Sequence, residues 1–131
     1  IAQKFTPTAV TDITGFGLIG HLIEVCDASN VSATINFNEI EFLPGAVDLA
    51  NEGVIPGGSK RNFEHAEKFT AFSSGLSSTQ KLLTCDAQTS GGLLITLPPK
   101  EAAQFLNEFG VKAKKIGEIE YRKTKPVSVI M

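Results

Sequence analysis

Residues 11–21, with the sequence TDITGFGLIGH, are the segment of this chain best suited to bind a ligand or a metal ion. Asp12 supplies a carboxylate, glycines follow it, and His21 closes the segment. Mg²⁺ prefers hard oxygen ligands and usually takes one or two protein carboxylates together with phosphate oxygens and water. Glycines allow a ligand or another backbone to come close. The segment therefore predicts a charged or bulky contact near its backbone, with Asp12 as a candidate metal ligand.

A helix predicted from Phe16 onward gives Asp12 a second possible role. Apolar residues recur at three- and four-residue spacing and predict one buried helical face: Ile19, Leu22, Ile23 and Cys26. Asp12 or Thr14 could then be the N-cap of that helix, where side-chain oxygens accept hydrogen bonds from free N–H groups. Both roles stay open, because one carboxylate does not specify a metal site.

The glycines also spell the G-x-G-x-x-G pattern of dinucleotide-binding folds. That pattern requires a buried parallel strand before it and an acidic residue about 20 positions later. Residues 9–12 are too short and polar for a central parallel strand, and residues 36–39 read NFNE. The context therefore argues against a dinucleotide site.

Composition indicates one soluble globular domain, spanning residues 1–131. The chain is 42% hydrophobic and 20% charged, with a net charge of −2. This charge gives no reason to expect nucleic acid, and the short cluster of Lys112, Lys114 and Lys115 predicts a solvated strand face. No apolar run is long enough to span a membrane and no signal peptide opens the chain, so a cytoplasmic location is expected. Because the chain begins with Ile1, we expect a fragment of a larger protein.

The remaining pattern predicts short strands interleaved with helices. The predicted strands are residues 31–37, 93–97, 114–121 and 126–131, and the predicted helices are 44–50, 60–67, 77–84 and 99–110. Pro56-Gly57-Gly58 is predicted to be a loop, and Ser77 with Gln80 a capping box. The fold class that follows is α+β, a layered α/β/α sandwich with a mixed or antiparallel sheet.

Two other segments could bind an anion. Lys60 and Arg61 could hold a phosphate at the start of a helix, or they could be the basic tip of a surface turn. The 85–92 loop, from Cys85 to Gly92, could cradle an anion through its N–H groups, or it could be a tight helix-to-strand connection.

The histidines and cysteines favour structural roles. His21 and His65 are each more typical of packed or solvated histidines than of catalytic bases. Cys26 lies on the apolar helical face, and Cys85 has no oriented pair of partners that would make it a nucleophile.

Four motifs in one order resemble the C-terminal domain of the selenophosphate synthetase family (selenide, water dikinase). They are residues 11–21, LPGA at 43–46, VIPGGSKRN at 54–62 and CDAQTSGGLL at 85–94. The family usually has Pro where this chain has Ala87, a departure that alters loop stiffness more than chemistry.

This resemblance implies a fold with partial ferredoxin-like topology and an enzyme that converts selenide, ATP and water to selenophosphate, AMP and phosphate. It implies Mg²⁺ bound to the polyphosphate, with Asp12 as the ligand from this domain. It also implies an N-terminal ATP-binding domain that carries the reactive cysteine or selenocysteine, a homodimeric full-length protein, and a fragment that is inactive and binds no cofactor tightly alone.

Two alternatives remain. One is the equivalent domain of another ATP-using relative, such as aminoimidazole ribonucleotide synthetase, a hydrogenase maturation protein or thiamine-monophosphate kinase. The other is a non-catalytic interaction module whose glycines only pack a helix against a sheet.

Overall fold

The computed structural model describes residues 4–131, in which strands and α-helices are interleaved. The strands are β1 (Ala9–Asp12), β2 (Val31–Asn36), β3 (Thr70–Phe72), β4 (Leu93–Thr96), β5 (Gly117–Tyr121) and β6 (Val127–Ile130). The helices are α1 (Gly17–Ser29), α2 (Ala46–Asn51), α3 (Gly57–Ala66), α4 (Ser78–Thr84) and α5 (Pro99–Phe109). Short 3-10 turns follow β2 at Phe37–Glu39 and α5 at Gly110–Lys112.

The strands form two separate sheets. The larger sheet has the order β3-β6-β2-β5, with β6 parallel to both β3 and β2 and with β5 antiparallel to β2. The smaller sheet is an antiparallel ribbon of β1 and β4 in which Asp12 is paired with Leu93. The predicted α+β class with mixed pairing is confirmed. Because β1 lies outside the larger sheet, the strand that a dinucleotide-binding pattern requires before its glycines is not central here.

Helix α1 packs its apolar face on the larger sheet. Its buried residues meet inward-facing residues of β2 and β6, and α3 and the start of the 85–92 loop add to the same core. The core includes Ile19, Leu22, Ile23, Cys26, Ala33, Ile35, Ala66, Cys85, Val127 and Val129. Alternate residues of β2 point into it, as expected for a strand with one buried face. This packing fixes the N-terminal end of α1 beside the 85–92 loop.

Local sequence signals correctly predict where two of the helices begin or end. The Ser77 hydroxyl accepts a hydrogen bond from the backbone N–H of Gln80 at 3.1 Å, and the Gln80 side chain accepts one from the Ser77 backbone at 2.8 Å. This reciprocal pair confirms the capping box that precedes α4. Helix α5 begins at Pro99 and is followed by Gly110, as predicted.

The prediction that Pro56-Gly57-Gly58 forms a loop is wrong. Gly57 and Gly58 are the first residues of α3, and Pro56 is its N-cap. The Pro56 carbonyl accepts hydrogen bonds from the N–H groups of Ser59 at 3.1 Å and Lys60 at 3.3 Å, so the first turn is already closed at these glycines.

The strand prediction at the lysine cluster is also wrong. Lys112 lies in the second 3-10 turn, and β5 begins only at Gly117, where pairing with β2 begins. Lys114 forms ion pairs with Glu39 and Glu41, and Lys115 pairs with Glu118. Strand β3 was not predicted, because its three residues give no measurable alternation.

Candidate functional site

The structure brings three of the four resemblance motifs together at one end of α1. We call them the Asp12 segment (residues 11–21), the Pro56 segment (residues 56–62) and the Cys85 segment (residues 85–94). The Asn62 side-chain N–H group bonds the Gly15 carbonyl at 2.8 Å and the Cys85 carbonyl at 3.1 Å. One side chain of the Pro56 segment therefore ties the other two segments to each other.

Backbone groups also join the Asp12 and Cys85 segments directly. The Thr14 carbonyl accepts hydrogen bonds from the N–H groups of Gly17 and Gln88, each at 3.0 Å, and the Ile13 N–H donates to the Gly92 carbonyl at 2.9 Å. Gly17 has a φ of +72°, and a Cβ built on it would lie 2.7 Å from backbone atoms of the Cys85 segment. This glycine is therefore required for close backbone packing, one of the two roles that the sequence predicted for it.

Ser59 and Asp86 form a clamp between the Pro56 and Cys85 segments. The fully buried Ser59 hydroxyl donates to Asp86 Oδ1 at 2.5 Å and accepts from the Ala87 N–H at 3.2 Å. The other Asp86 oxygen accepts from the Gln88 side chain at 3.1 Å. Sequence reasoning missed this clamp because its partners are 27 residues apart.

We expect Ser59→Ala to lower the free energy of unfolding by about 1–3 kcal/mol, since it leaves a buried N–H and a carboxylate oxygen without their partner. Chemical denaturation measures this change. Ser74→Ala, at an exposed serine, is the matched control and is expected to stay within about 0.5 kcal/mol of the original protein. Equal stability of the two variants would contradict a structural clamp.

Asp12 lies at the surface of the domain and is not an N-cap. It belongs to β1, whereas α1 begins at Gly17 with Phe16 as an N-cap that provides no side-chain hydrogen bond. The N-cap interpretation of Asp12 and Thr14 is therefore wrong, because the intervening residues turn away before the helix starts. Among residues 4–131 the exposed Asp12 carboxylate has no hydrogen-bond or ion-pair partner.

Exposed apolar side chains share the face of the β1–β4 ribbon on which Asp12 lies. Val10 lies two residues before Asp12 on β1, and Leu93 is its partner on β4, with 52% and 66% of their surfaces exposed. Phe16, which follows β1 by four residues, is 58% exposed. Clustered exposed apolar residues of this kind are typical of surfaces that contact another protein part or a ligand.

His21 is the satisfied histidine that the sequence favoured. It is 8% exposed, its Nε2 lies 3.0 Å from the Thr14 hydroxyl, and its Nδ1 lies 3.2 Å from a Glu24 carboxylate oxygen. The Phe16 ring leans against it, with the two ring centres 5.5 Å apart. His65, in contrast, is exposed on α3 and contacts Phe69.

Lys60 and Arg61 are exposed on the first turns of α3 and form no ion pair with any residue between positions 4 and 131. The Arg61 guanidinium lies over the start of the helix, 3.4 Å from where a Cβ of Gly57 would be. In the 85–92 loop, Thr89 and Ser90 are exposed. A Cβ on Gly91 would lie 2.1 Å from the Ile13 carbonyl oxygen, which matches the tight-connection interpretation of this loop.

Both cysteines are buried free thiols. Burial raises the pKa of Cys85 to about 11, and it raises the pKa of Cys26 to about 11 as well. A high pKa leaves little of the reactive thiolate, so neither residue has the character of a nucleophile.

We expect a disulfide reagent such as Ellman's reagent to label neither cysteine of the native protein at pH 8, where a pKa of about 11 leaves roughly a thousandth as thiolate. Both thiols should react after unfolding. Since the folded state keeps these protons beyond the ordinary thiol pKa of 9.0, their ionisation should destabilise the fold as the pH rises from 9.0 through about 11. Rapid labelling of the native protein would contradict the burial.

Residues 4–131 contain neither a grouped metal site nor a membrane-spanning helix. No three histidine, cysteine or acidic side chains in this range are grouped to hold a metal ion. None of the helices described here is long and apolar enough to cross a membrane. Asp12 fits Mg²⁺ only as one member of a larger ligand set, because Mg²⁺ takes few protein carboxylates and completes its shell with phosphate and water.

A comparison of the sequence with known protein families identifies the class of domain to which this fold and these motifs belong. The family described as "AIR synthase related protein, C-terminal domain" matches residues 1–129, so the chain belongs to this family. The membership agrees with the observed α+β fold and its mixed sheet.

Within this family, the chain is similar to proteins named selenide, water dikinase. The chain is 45% identical over 115 residues to the selenide, water dikinase of Haemophilus ducreyi, covering 86% of this chain and 32% of that protein. It is 43% identical over 126 residues to that of Pseudomonas putida, covering 93% and 36%. It is 40% identical over 132 residues to that of Aliarcobacter butzleri, covering 97% and 38%. The chain thus spans about a third of the length of these relatives, and the predicted resemblance is confirmed.

Proposed function

We propose that this chain is the C-terminal domain of an ATP-dependent selenophosphate synthetase. The full-length protein would convert selenide, ATP and water to selenophosphate, AMP and phosphate, as a phosphotransferase. The observation that carries the proposal is 40–45% identity, over most of the chain, to proteins named selenide, water dikinase. Residues 1–131 would form a single domain of that protein.

Asp12 would supply one Mg²⁺ ligand to an active site between this domain and an N-terminal ATP-binding domain. Support comes from the carboxylate itself, which is exposed and has no partner among residues 4–131. Asp86, in contrast, uses both carboxylate oxygens for hydrogen bonds within the domain. When bound, Mg²⁺ neutralises developing charge on the phosphoryl groups, and Asp12 would fix its position.

The apolar surface around Asp12 supports a partner that covers this face. Val10 and Leu93 are exposed on the same face of the ribbon as Asp12, and Phe16 is exposed four residues after it. Closing a site over such residues removes water from the reacting groups. The N-terminal domain of the same protein would be this partner. We further propose a homodimeric, cytoplasmic full-length protein, and an isolated domain that has no activity because most ligands of the site lie outside it.

The alternative of a pure packing module has partial support. Gly17 and Gly91 do pack against backbone, as that hypothesis expects. It gives no role to the Asp12 carboxylate, however, because that group forms no hydrogen bond or ion pair with residues 4–131.

The test is an anaerobic assay of the full-length protein for AMP formation from ATP with and without selenide. We expect AMP formation that depends on selenide, and none from residues 1–131 alone. A well-folded full-length protein without this activity would overturn the proposal and favour another ATP-using relative.

A further inference from the structure

Thr14, His21 and Glu24 form a continuous chain of hydrogen bonds, and Thr14 lies two residues after Asp12 in the sequence. The Thr14 hydroxyl lies 3.0 Å from His21 Nε2, and His21 Nδ1 lies 3.2 Å from Glu24 Oε2. A hydroxyl, an imidazole and an orienting carboxylate in this order are the arrangement by which enzymes activate an oxygen nucleophile.

With His21 acting as a neutral base, the chemistry of its two partners sets the direction of each hydrogen bond. An ionised carboxylate only accepts, so Nδ1 of His21 carries the proton that is donated to Glu24. In neutral imidazole Nε2 is then the acceptor, and the Thr14 hydroxyl donates to it. The oxygen lone pairs of Thr14 are therefore left free to accept a proton from another group.

Backbone hydrogen bonds already hold the loop that carries Thr14. The backbone carbonyl of Thr14 already accepts from Gly17 and Gln88, and α1 begins without a side-chain cap. The next residue, Gly15, is exposed, and a Cβ built on it would meet nothing within 4 Å. His21 behind it is 8% exposed and is covered by the Phe16 ring. Thr14 itself is only partly buried, so the hydrogen bond joins a partly exposed threonine to a shielded base.

We propose that Thr14 and His21 form a proton relay that activates the water molecule consumed in the reaction, with Glu24 as a positioning residue. This inference rests on the proposed function. The relatives are named for two phosphoryl acceptors, selenide and water. Selenide is already an anionic nucleophile near neutral pH and needs no base, whereas water must lose a proton to attack phosphorus.

The step applies to ADP that remains bound after one phosphoryl group has passed to selenide. The water oxygen forms a bond to the β-phosphorus, and the bond from that phosphorus to the bridging oxygen breaks. The electron pair of the broken bond leaves with AMP. The water proton passes to the Thr14 oxygen while the Thr14 proton passes to His21 Nε2, and Glu24 stabilises the resulting imidazolium. The products are AMP and phosphate.

The full-length Thr14→Val variant tests the relay, with the ratio of ADP to AMP formed in the presence of selenide as the readout. General base catalysis contributes typically about 100-fold or more, so ADP should replace AMP as the main product. His21→Gln should shift the ratio in the same direction. The selenide-dependent consumption of ATP to ADP reports that each variant is folded and binds its substrates.

Matched variants separate the relay from packing. Thr14→Ser keeps the hydroxyl and should restore AMP as the main product. Thr8→Val and His65→Gln change an exposed threonine and an exposed histidine away from the relay and should leave the ratio unchanged.

An unchanged ratio in Thr14→Val, or an equal loss of both products, would overturn the relay while leaving the proposed function intact. Absence of any selenide-dependent product from the unaltered full-length protein would overturn the proposed function instead.

Discussion

Asp12→Asn in the full-length protein is expected to lower selenide-dependent AMP formation at least about 100-fold without disturbing the fold. The carboxamide keeps the size of the side chain but removes the charge that would hold Mg²⁺, and metal ions supply several kcal/mol of charge stabilisation in such reactions. Raising the Mg²⁺ concentration should recover part of the lost rate, since the weakened site can still be filled. Steady-state assays across a Mg²⁺ titration measure both effects.

The structure explains why stability should not change. The Asp12 carboxylate is exposed and forms no hydrogen bond or ion pair with residues 4–131, so the free energy of unfolding of the variant should stay within about 0.5 kcal/mol of the original protein. Asp48→Asn, at an exposed aspartate of α2, is the control for loss of one negative charge. Unchanged kinetics of the Asp12 variant across the titration would show that this carboxylate does not hold the metal.

Gly17→Ala is expected to destabilise the protein by about 3 kcal/mol or more, a large part of the stability of a typical domain. Two costs combine at this position. The φ of +72° disfavours any side chain, and the added Cβ would lie 2.7 Å from the backbone carbonyls of Cys85 and Asp86. Because this backbone is fixed by the Asn62 and Thr14 hydrogen bonds, it cannot move aside without loss of those contacts.

Gly53→Ala separates the two costs. Gly53 has a φ of +85°, and a Cβ there would meet nothing within 4 Å, so its substitution should cost only the conformational part, about 1 kcal/mol. Denaturant unfolding of both variants measures the difference. Equal losses of stability would mean that the backbone of the Cys85 segment does not pack closely against Gly17.

Local signals in the sequence predict much of this fold. The capping box at Ser77, and Pro99 with Gly110 around α5, each involve residues within one helix, so a single stretch contains the whole signal. Strand β3 was not predicted, because three residues are too few to show an alternation of apolar and polar side chains. Its position is set by pairing with β6, which is far away in the sequence.

The candidate site depends more than the helices do on contacts between residues that are far apart in the sequence. Ser59, Asn62 and Asp86 act across segments, and nothing in their own surroundings in the sequence indicates a partner. The N-cap interpretation of Asp12 failed for a similar reason, since pairing with Leu93 holds Asp12 in a strand. Part of the relay could have been found, because His21 and Glu24 are three residues apart on one helix and so lie on the same face. Thr14 could not, since it lies outside the helix.

Metal binding to the full-length protein, in the presence of a non-hydrolysable ATP analogue, decides whether Asp12 is a metal ligand. Mn²⁺ serves as a spectroscopic substitute for Mg²⁺, and its electron paramagnetic resonance signal reports the free ion. Asp12→Asn should weaken the binding of one Mn²⁺ at least about tenfold, while Asp48→Asn should match the unaltered protein. If the Asp12 variant binds the same number of ions with the same affinity, Asp12 is not a ligand and the Asp12 segment does not form a wall of the nucleotide site.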